Sequence, residues 1–319
     1  MAQGTAVTFD IADGRTCAIA LPPDNGTTSQ FAGGMTLMGT RAVIAGGGDG
    51  NASDSLLPAG AVVANAGRLW DAGQTVTYSF LSGTTQQQNK VKAVIQNWYL
   101  YANVVFSPVA TGGMLRITFD PKGGSWSYIG KDSLKVDATK PTINFGWVED
   151  TKSIEAEERG VILHEFGHVL GTSRHQSPAR GGTLTLDNEA VYGYYTYTQG
   201  WDRATVKAQI IDVFNADTVV SNYSRLDTES IMMYFMPSWL NLQRIEVKAN
   251  YVLSPIDMAY MVINYPRPKP HAEASKWTLE YALRVAEVDE ATVQSILFSR
   301  ADVSQNSLLV LCVSATCAT

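Results

Sequence analysis

Residues Ser153–Gly171 read SIEAEERGVILHEFGHVLG, and this stretch decides the fold of the chain. It is typical of a long helix over Ser153–Leu170, with Gly171 just past the C-terminal end, where glycine is favoured. The run His-Glu-Phe-Gly-His at 164–168 falls inside this helix. The chemistry open to the chain therefore depends on what these five residues can do from one helix.

His164 and His168 lie four residues apart, so a helix brings both imidazoles to one face, close enough to bind one metal ion. Zn²⁺ accepts histidine nitrogens at about 2.0–2.1 Å, and a catalytic site leaves one position open for water. Glu165 projects beside that face, where it can take a proton from such a water. The alternative is two satisfied histidines and an exposed glutamate. The chain has only 4 histidines, so this spacing favours His164 and His168 as Zn²⁺ ligands and Glu165 as catalytic base.

The composition is that of an ordinary globular protein, with 319 residues, of which 45% are hydrophobic and 17% charged. The net charge is −6 and Lys and Arg do not cluster, so we expect no nucleic-acid partner. No stretch approaches the ~18 uninterrupted apolar residues of a membrane span, so we expect no membrane partner. Residues 1–16 lack the basic and apolar regions of a signal peptide. The protein is therefore expected to be secreted if a leader was removed, and intracellular otherwise.

Hydrophobic patterning predicts an α+β fold for the middle of the chain. An amphipathic helix over Gln86–Ala102 and the helix over Ser153–Leu170 accompany five strand-like runs. These runs are Thr75–Phe80, Val104–Ser107, Met114–Phe119, Trp126–Ile129 and Thr142–Phe145. Along the whole chain we predict three parts. Residues 1–65 form an N-terminal extension or pro-segment, 66–266 the domain with the metal site, and 267–319 a linker and small helical C-terminal extension.

Several separate motifs in the middle part resemble those of one family. Ser230–Tyr234 reads SIMMY and resembles a Met-turn, and Gly124–Gly130 reads GSWSYIG and resembles an edge-strand motif. Further similar segments are Arg68–Trp70, Asn144–Trp147, His175–Pro178, Glu189–Tyr192 and Ser254–Asp257. From about Arg68 to Pro266 the chain resembles the astacin-like branch of the metzincin zinc metallopeptidases, in its bacterial and fungal type.

The resemblance implies a fold and an activity. The fold is a metzincin-type catalytic domain over 66–266. In it, a twisted, mostly parallel sheet carries a backing helix and an active-site helix, with an irregular lower subdomain that contains the Met-turn. The activity is zinc-dependent hydrolysis of peptide bonds in extended peptide or protein substrates, with Zn²⁺ as cofactor. Met232 would form an apolar floor under the zinc histidines, and Tyr234 would stabilise the oxyanion of the transition state.

The third zinc ligand departs from the family pattern, which puts a histidine ten residues after the first. Arg174 stands there and His175 follows it. Arginine stays protonated and has no lone pair to offer a metal. No Asp or Glu lies between Gly171 and Asp187, and catalytic zinc normally has three protein ligands. We therefore predict that His175 binds the metal. The alternative, an alignment on residues 176–178, places His175 on a family histidine that does not bind zinc.

Substrate is expected to bind along the strand Gly124–Gly130. An exposed strand edge offers N–H and C=O groups that an extended peptide can pair with, which gives affinity without sequence preference. Trp126, Ser127 and Tyr128 are the predicted substrate-binding residues. The alternative for the two aromatic residues is that they belong to the core.

Cys17 is a possible latency ligand, because it stands alone in the segment before the catalytic domain. Its thiolate would fill the open position on zinc until that segment leaves. Asp49 is a rival, since astacin-like pro-segments typically use an aspartate. An ordinary buried cysteine is the third interpretation.

Two other functions compete with peptide hydrolysis. One is a metzincin scaffold whose zinc chemistry acts on a small substrate, and the other is an inactive peptide-binding protein. Glu165 beside both helix histidines argues against the inactive protein, because such a protein has no need of a general base.

Overall fold

The computed structural model of the chain describes residues 18–20, 68–172, 185–211, 227–233 and 235–298. Six strands of these residues form one sheet. They are β1 (Ala18–Ala20), β2 (Thr75–Phe80), β3 (Val105–Pro108), β4 (Leu115–Thr118), β5 (Ser125–Tyr128) and β6 (Ile143–Phe145). Their order is β1-β5-β6-β4-β2-β3, and all neighbours run parallel except β5 and β6. The predicted mostly parallel sheet is therefore confirmed.

The described helices include the predicted one before Gly171, and also one over Asn188–Gln199 in a stretch that was expected to be mostly loops. They are α1 (Thr85–Val94), α2 (Gln96–Tyr99), α3 (Ala156–Val169), α4 (Asn188–Gln199), α5 (Arg203–Val206), α6 (Pro255–Asn264), α7 (Leu279–Val285) and α8 (290–298). Ser254 caps α6 in the predicted capping box with Asp257. Within the described ranges, no helix is long and apolar enough to cross a membrane.

One predicted helix is broken in two. The sequence predicts a single helix over Gln86–Ala102, but α1 and α2 separate at Ile95. The side-chain amide of Asn97 donates to the carbonyl of Val94 (2.7 Å), and the backbone N–H of Trp98 turns to Ile95 O (3.2 Å). A local side-chain bond thus competes with the regular helical hydrogen bond, which accounts for the break.

The main core lies between the sheet and the two long helices α1 and α3. Ile117 and Phe145 of the sheet and Phe166 of α3 are fully buried in it. The rings of Phe145 and Phe166 lie parallel, 6.3 Å apart between centroids. The indole N–H of Trp98 donates to the carbonyl of Leu163 (3.0 Å), which ties α2 to α3.

A buried ion pair also joins α1 to the first turn of α3. Lys90 Nζ lies 2.6 Å from Glu158 Oε1, and both side chains are almost completely buried. Burial raises the pKa of Glu158, but the hydrogen bonds from Lys90 and from the backbone of Glu155 and Glu149 outweigh it, so the pKa falls below its usual value. The carboxylate is therefore ionised at neutral pH. Removing one partner of such a pair would leave the other charge buried and uncompensated.

A second, smaller core supports the irregular half of the molecule. Its buried members are Val191, Tyr195, Val206, Ile210, Ile211, Met233, Met236, Leu240 and Val247. Apart from α4 and α5, this half contains isolated β-bridges, Leu186 to Asn241 and Met236 to Val247. The predicted irregular lower subdomain is confirmed in these residues.

Residues after Pro266 pack against the back of the main domain. Trp277 and Leu283 are buried against Val262 of α6 in a third cluster. Arg267 lies over the ring of Tyr99, 4.5 Å from its centroid. The segment predicted as a linker is thus anchored here, while the domain boundaries at 65/66 and 266/267 remain predictions.

Candidate active site

The helix α3 presents the candidate zinc histidines near its C-terminal end. It begins at Ala156, three residues later than predicted. The Glu158 carboxylate accepts the N–H of Glu155 (3.0 Å), which caps the helix at this residue. Gly171 adopts a positive φ of 85°. Its N–H donates to His168 O (2.8 Å), and the N–H of Thr172 donates to Gly167 O (3.1 Å). These two bonds are a Schellman motif, so the predicted role of Gly171 is confirmed.

Both histidines are buried and held by backbone carbonyls. His164 Nδ1 lies 2.7 Å from Ile231 O, and His168 Nδ1 lies 2.8 Å from Thr172 O. A carbonyl can only accept, so each Nδ1 carries a proton, and in the neutral ring the lone pair is then on Nε2. The two ring centroids are 4.8 Å apart. This is the tautomer and the support that metal-binding histidines require.

Glu165 lies between the two histidines in sequence, and its side chain is completely buried. A buried carboxylate is costly unless donors or a cation compensate its charge. His164 and His168, each with its Nδ1 held by a backbone carbonyl, are the residues here that fit as ligands of a divalent cation such as Zn²⁺.

The remaining ligand and latency predictions fall outside the described residues. These are His175, Tyr234, Cys17 and its rival Asp49. Within the described ranges, no group of three or more His, Cys, Asp or Glu could hold a metal ion. His164 and His168 thus need a third ligand from elsewhere, and the prediction for His175 stands untested.

Met232 packs against α3 at Gly167. It is fully buried, and a Cβ atom placed on Gly167 would overlap its Sδ. The absence of a side chain at Gly167 thus lets Met232 approach the helix one residue before His168. The turn itself is tight, because the N–H of Met233 donates to Ser230 O (3.1 Å).

Asp257 contacts the same turn through its carboxylate. Its carboxylate accepts from Ser230 Oγ (2.6 Å), from the N–H of Ile231 (2.8 Å) and from the N–H of Ser254 (2.9 Å). Burial raises the pKa of Asp257, while these hydrogen bonds act to lower it. The only sequence signal is an acid at the third position of a helix, which also fits a simple cap.

The prediction that β5 has a free edge is wrong, because β5 is paired on both sides when residues 18–20 are present. Residues 125–127 pair with β6 on one side, and residues 126–128 pair in parallel with Ala18–Ala20 on the other. Unpaired N–H and C=O groups of an edge strand attract any segment that can extend along them, and the chain's own N-terminal part supplies one. Ser127 and Tyr128 are buried, and the Trp126 and Tyr128 rings meet edge to face at 6.0 Å. The substrate-binding role of Trp126, Ser127 and Tyr128 remains a prediction.

The comparisons with known proteins agree with this site. The sequence model of the family described as Astacin (Peptidase family M12A) matches residues 62–246, more than half of the chain. None of the curated proteins compared with the chain matches it.

Three solved structures are similar to this chain. A structure of myroilysin is 33% identical, covers 63% of this chain and 97% of its own, and superposes with a TM-score of 0.57. A second one, a crystal structure of myroilysin, is 31% identical with 68% and 97% coverage and a TM-score of 0.49. High choriolytic enzyme 1, a hatching-enzyme zinc protease from Oryzias latipes (Medaka fish), is 13% identical with 63% and 95% coverage and a TM-score of 0.42. On the match over 62–246, this chain belongs to the astacin family of zinc metallopeptidases.

Proposed function

We propose that the protein is an endopeptidase that cleaves extended peptides with Glu165 as general base. The observation that carries this proposal is the pair of Nδ1 contacts to Ile231 O and Thr172 O, because a neutral imidazole held in this way has its lone pair on Nε2 for a metal. His164, His168 and His175 would hold the zinc ion. When bound, zinc supplies a Lewis acid that lowers the pKa of water and polarises the scissile carbonyl.

The protein's own groups would then carry the proton and the developing charge. Glu165 takes a proton from the attacking water and later gives it to the leaving amine. Tyr234 donates a hydrogen bond to the oxyanion, a contact that is stronger in the transition state than in the ground state. Met232 supports the histidines from below, where it contacts the bare backbone of Gly167.

The edge of β5 is the proposed place for the substrate backbone. The strand lies against α3, and an extended peptide there would bind through main-chain hydrogen bonds. Because β1 uses the same edge in the whole chain, a substrate has to replace residues 18–20 before it can pair.

The test of the function is cleavage of a peptide with both termini blocked. We expect internal cleavage by the whole chain, loss of cleavage with a zinc chelator, and recovery on adding Zn²⁺ but not Ca²⁺. Mass spectrometry of the products locates the cut. Zinc-loaded protein that leaves the blocked peptide and an unfolded protein substrate intact would contradict the proposal.

A second test concerns the third ligand. His175→Ala should weaken zinc binding by more than the ~10–100-fold typical of losing a partner outside the ligand shell, because one of three ligands disappears. Competition with a coloured chelator measures the affinity. Arg174→Ala is the matched control and should bind zinc like the parent. Parental affinity in His175→Ala would mean that the histidine does not bind the metal.

A further inference from the structure

We propose that Asp257 is a positioning residue of the zinc site, which acts on His164 through the backbone of Ile231. The inference rests on the proposed zinc site but does not need peptide cleavage to be tested. Asp257 lies on α6, and His164 lies on α3, so the link connects two helices through the turn that contains Met232.

The link has two consecutive hydrogen bonds. The carboxylate of Asp257 accepts the N–H of Ile231 (2.8 Å), and the carbonyl of the same residue faces His164 Nδ1 (2.7 Å). Both peptide groups flank one Cα atom, and the Ile231 side chain is buried. The position of the carbonyl therefore depends on how firmly the N–H is held.

Other bonds hold the turn in the same place. Ser230 Oγ donates to Asp257 (2.6 Å) and accepts from the N–H of Met232 (3.0 Å). The side-chain amide of Asn250 donates to Ser230 O (2.9 Å). The turn is thus fixed around Ile231, and Asp257 supplies the acceptor for two of its groups.

Helix capping alone does not explain these contacts. From the carboxylate of its acid, a capping box needs only the bond to the N–H of the cap residue, here Ser254, which is present (2.9 Å). Such an acid can stay exposed, yet Asp257 is only 2% exposed, at a cost in desolvation. The bonds from Ser230 and Ile231, which are far away in sequence, account for that burial.

The expected consequence is a choice of tautomer and ring orientation at His164. With the Ile231 carbonyl in place, the proton stays on Nδ1 and the lone pair on Nε2 points to the metal. Without Asp257, the carbonyl can move, and the imidazole loses its fixed orientation. His168 depends on Thr172 O instead and should not change.

Two variants and a control test this. Asp257→Ala should weaken zinc binding about tenfold, the lower end of the range for partners outside the ligand shell. Asp257→Asn keeps an oxygen for the N–H of Ile231, but this oxygen is a weaker, uncharged acceptor. The zinc affinity of this variant should therefore lie between that of the parent and that of Asp257→Ala. Thr278→Ala removes a cap from α7, where Thr278 Oγ1 accepts from Tyr281 N. It should lower Tm without changing zinc affinity.

Imidazole ¹H–¹⁵N NMR of the zinc-free protein completes the experiment and does not require Asp257→Ala to fold. We expect Nδ1–H on His164 and His168 in the parent, and a shift of the His164 signal alone in Asp257→Asn. The proposal is overturned if His164 lacks the Nδ1 proton in the parent, or if its signal stays unchanged in Asp257→Asn. Parental zinc affinity in folded Asp257→Ala, with only Tm lowered, overturns it as well. Zinc binding without peptide cleavage in the parent would count against the proposed function only.

Discussion

Glu165→Gln is expected to keep zinc bound and to lower kcat for peptide cleavage by ~10²–10⁴-fold, the usual contribution of a positioned general base. The amide has nearly the shape of the carboxylate, so the packing of this fully buried side chain should survive. It cannot accept the proton of the attacking water, which is why turnover should fall while KM changes little. Steady-state kinetics and zinc content of the same preparation measure both effects.

Glu157→Gln is the matched control for this change. Glu157 lies in the first turn of the same helix α3. The variant removes the same negative charge as Glu165→Gln, but at the opposite end of the helix from the histidines. The variant should lower the free energy of unfolding by only the few tenths of a kcal/mol that a charge near a helix N-terminus contributes. It should leave kcat unchanged. Full activity in Glu165→Gln would refute the proposed base, and loss of zinc in it would assign Glu165 to metal binding instead.

Gly167→Ala is expected to damage the site despite placing a better helix former in α3. Ala is favoured over Gly in a helix by ~1 kcal/mol, but the new Cβ would overlap Met232 Sδ and come within 3.1 Å of Thr172 Oγ1. Met232 is fully buried, so it can move only by displacing other atoms. Overpacking of this kind costs about 1–3 kcal/mol. We expect a lower Tm, together with weaker zinc binding and a lower kcat, because α3 carries both histidines.

Gly193→Ala is a control of opposite sign. Gly193 lies inside α4, and a Cβ there meets nothing within 4 Å. That variant should be more stable than the parent by up to ~1 kcal/mol and equally active. Calorimetry and chelator competition on both variants decide the matter. A stabilised Gly167→Ala with parental zinc affinity would show that Met232 adapts freely.

Local features of the fold could be predicted from the sequence. The alternation in Thr75–Phe80, the cap at Ser254 and the glycine at 171 each depend on neighbours in the chain, and all three are confirmed. The shared face of His164 and His168 likewise follows from helix geometry alone. The break at Ile95 was missed because it depends on one asparagine side chain that competes with the backbone.

Contacts between residues far apart in the chain could not be predicted from the sequence. The bond between Asp257 and Ile231 joins residues 26 positions apart, and a capping pattern gives no sign of it. Residues 18–20 form a strand, but a period-two pattern does not say which strand such a segment will pair with. The pairing of β1 with β5 therefore appeared only in the structure.

If substrate binds along β5 as proposed above, that pairing makes substrate binding an exchange. A peptide can use the outer edge of β5 only in molecules where residues 18–20 have left it, so its apparent affinity is its intrinsic affinity multiplied by the fraction of open molecules. With an open fraction of about one in a hundred, the apparent Kd would be about a hundredfold weaker than the intrinsic one. Anything that binds the N-terminal strand would then raise activity without touching the zinc site.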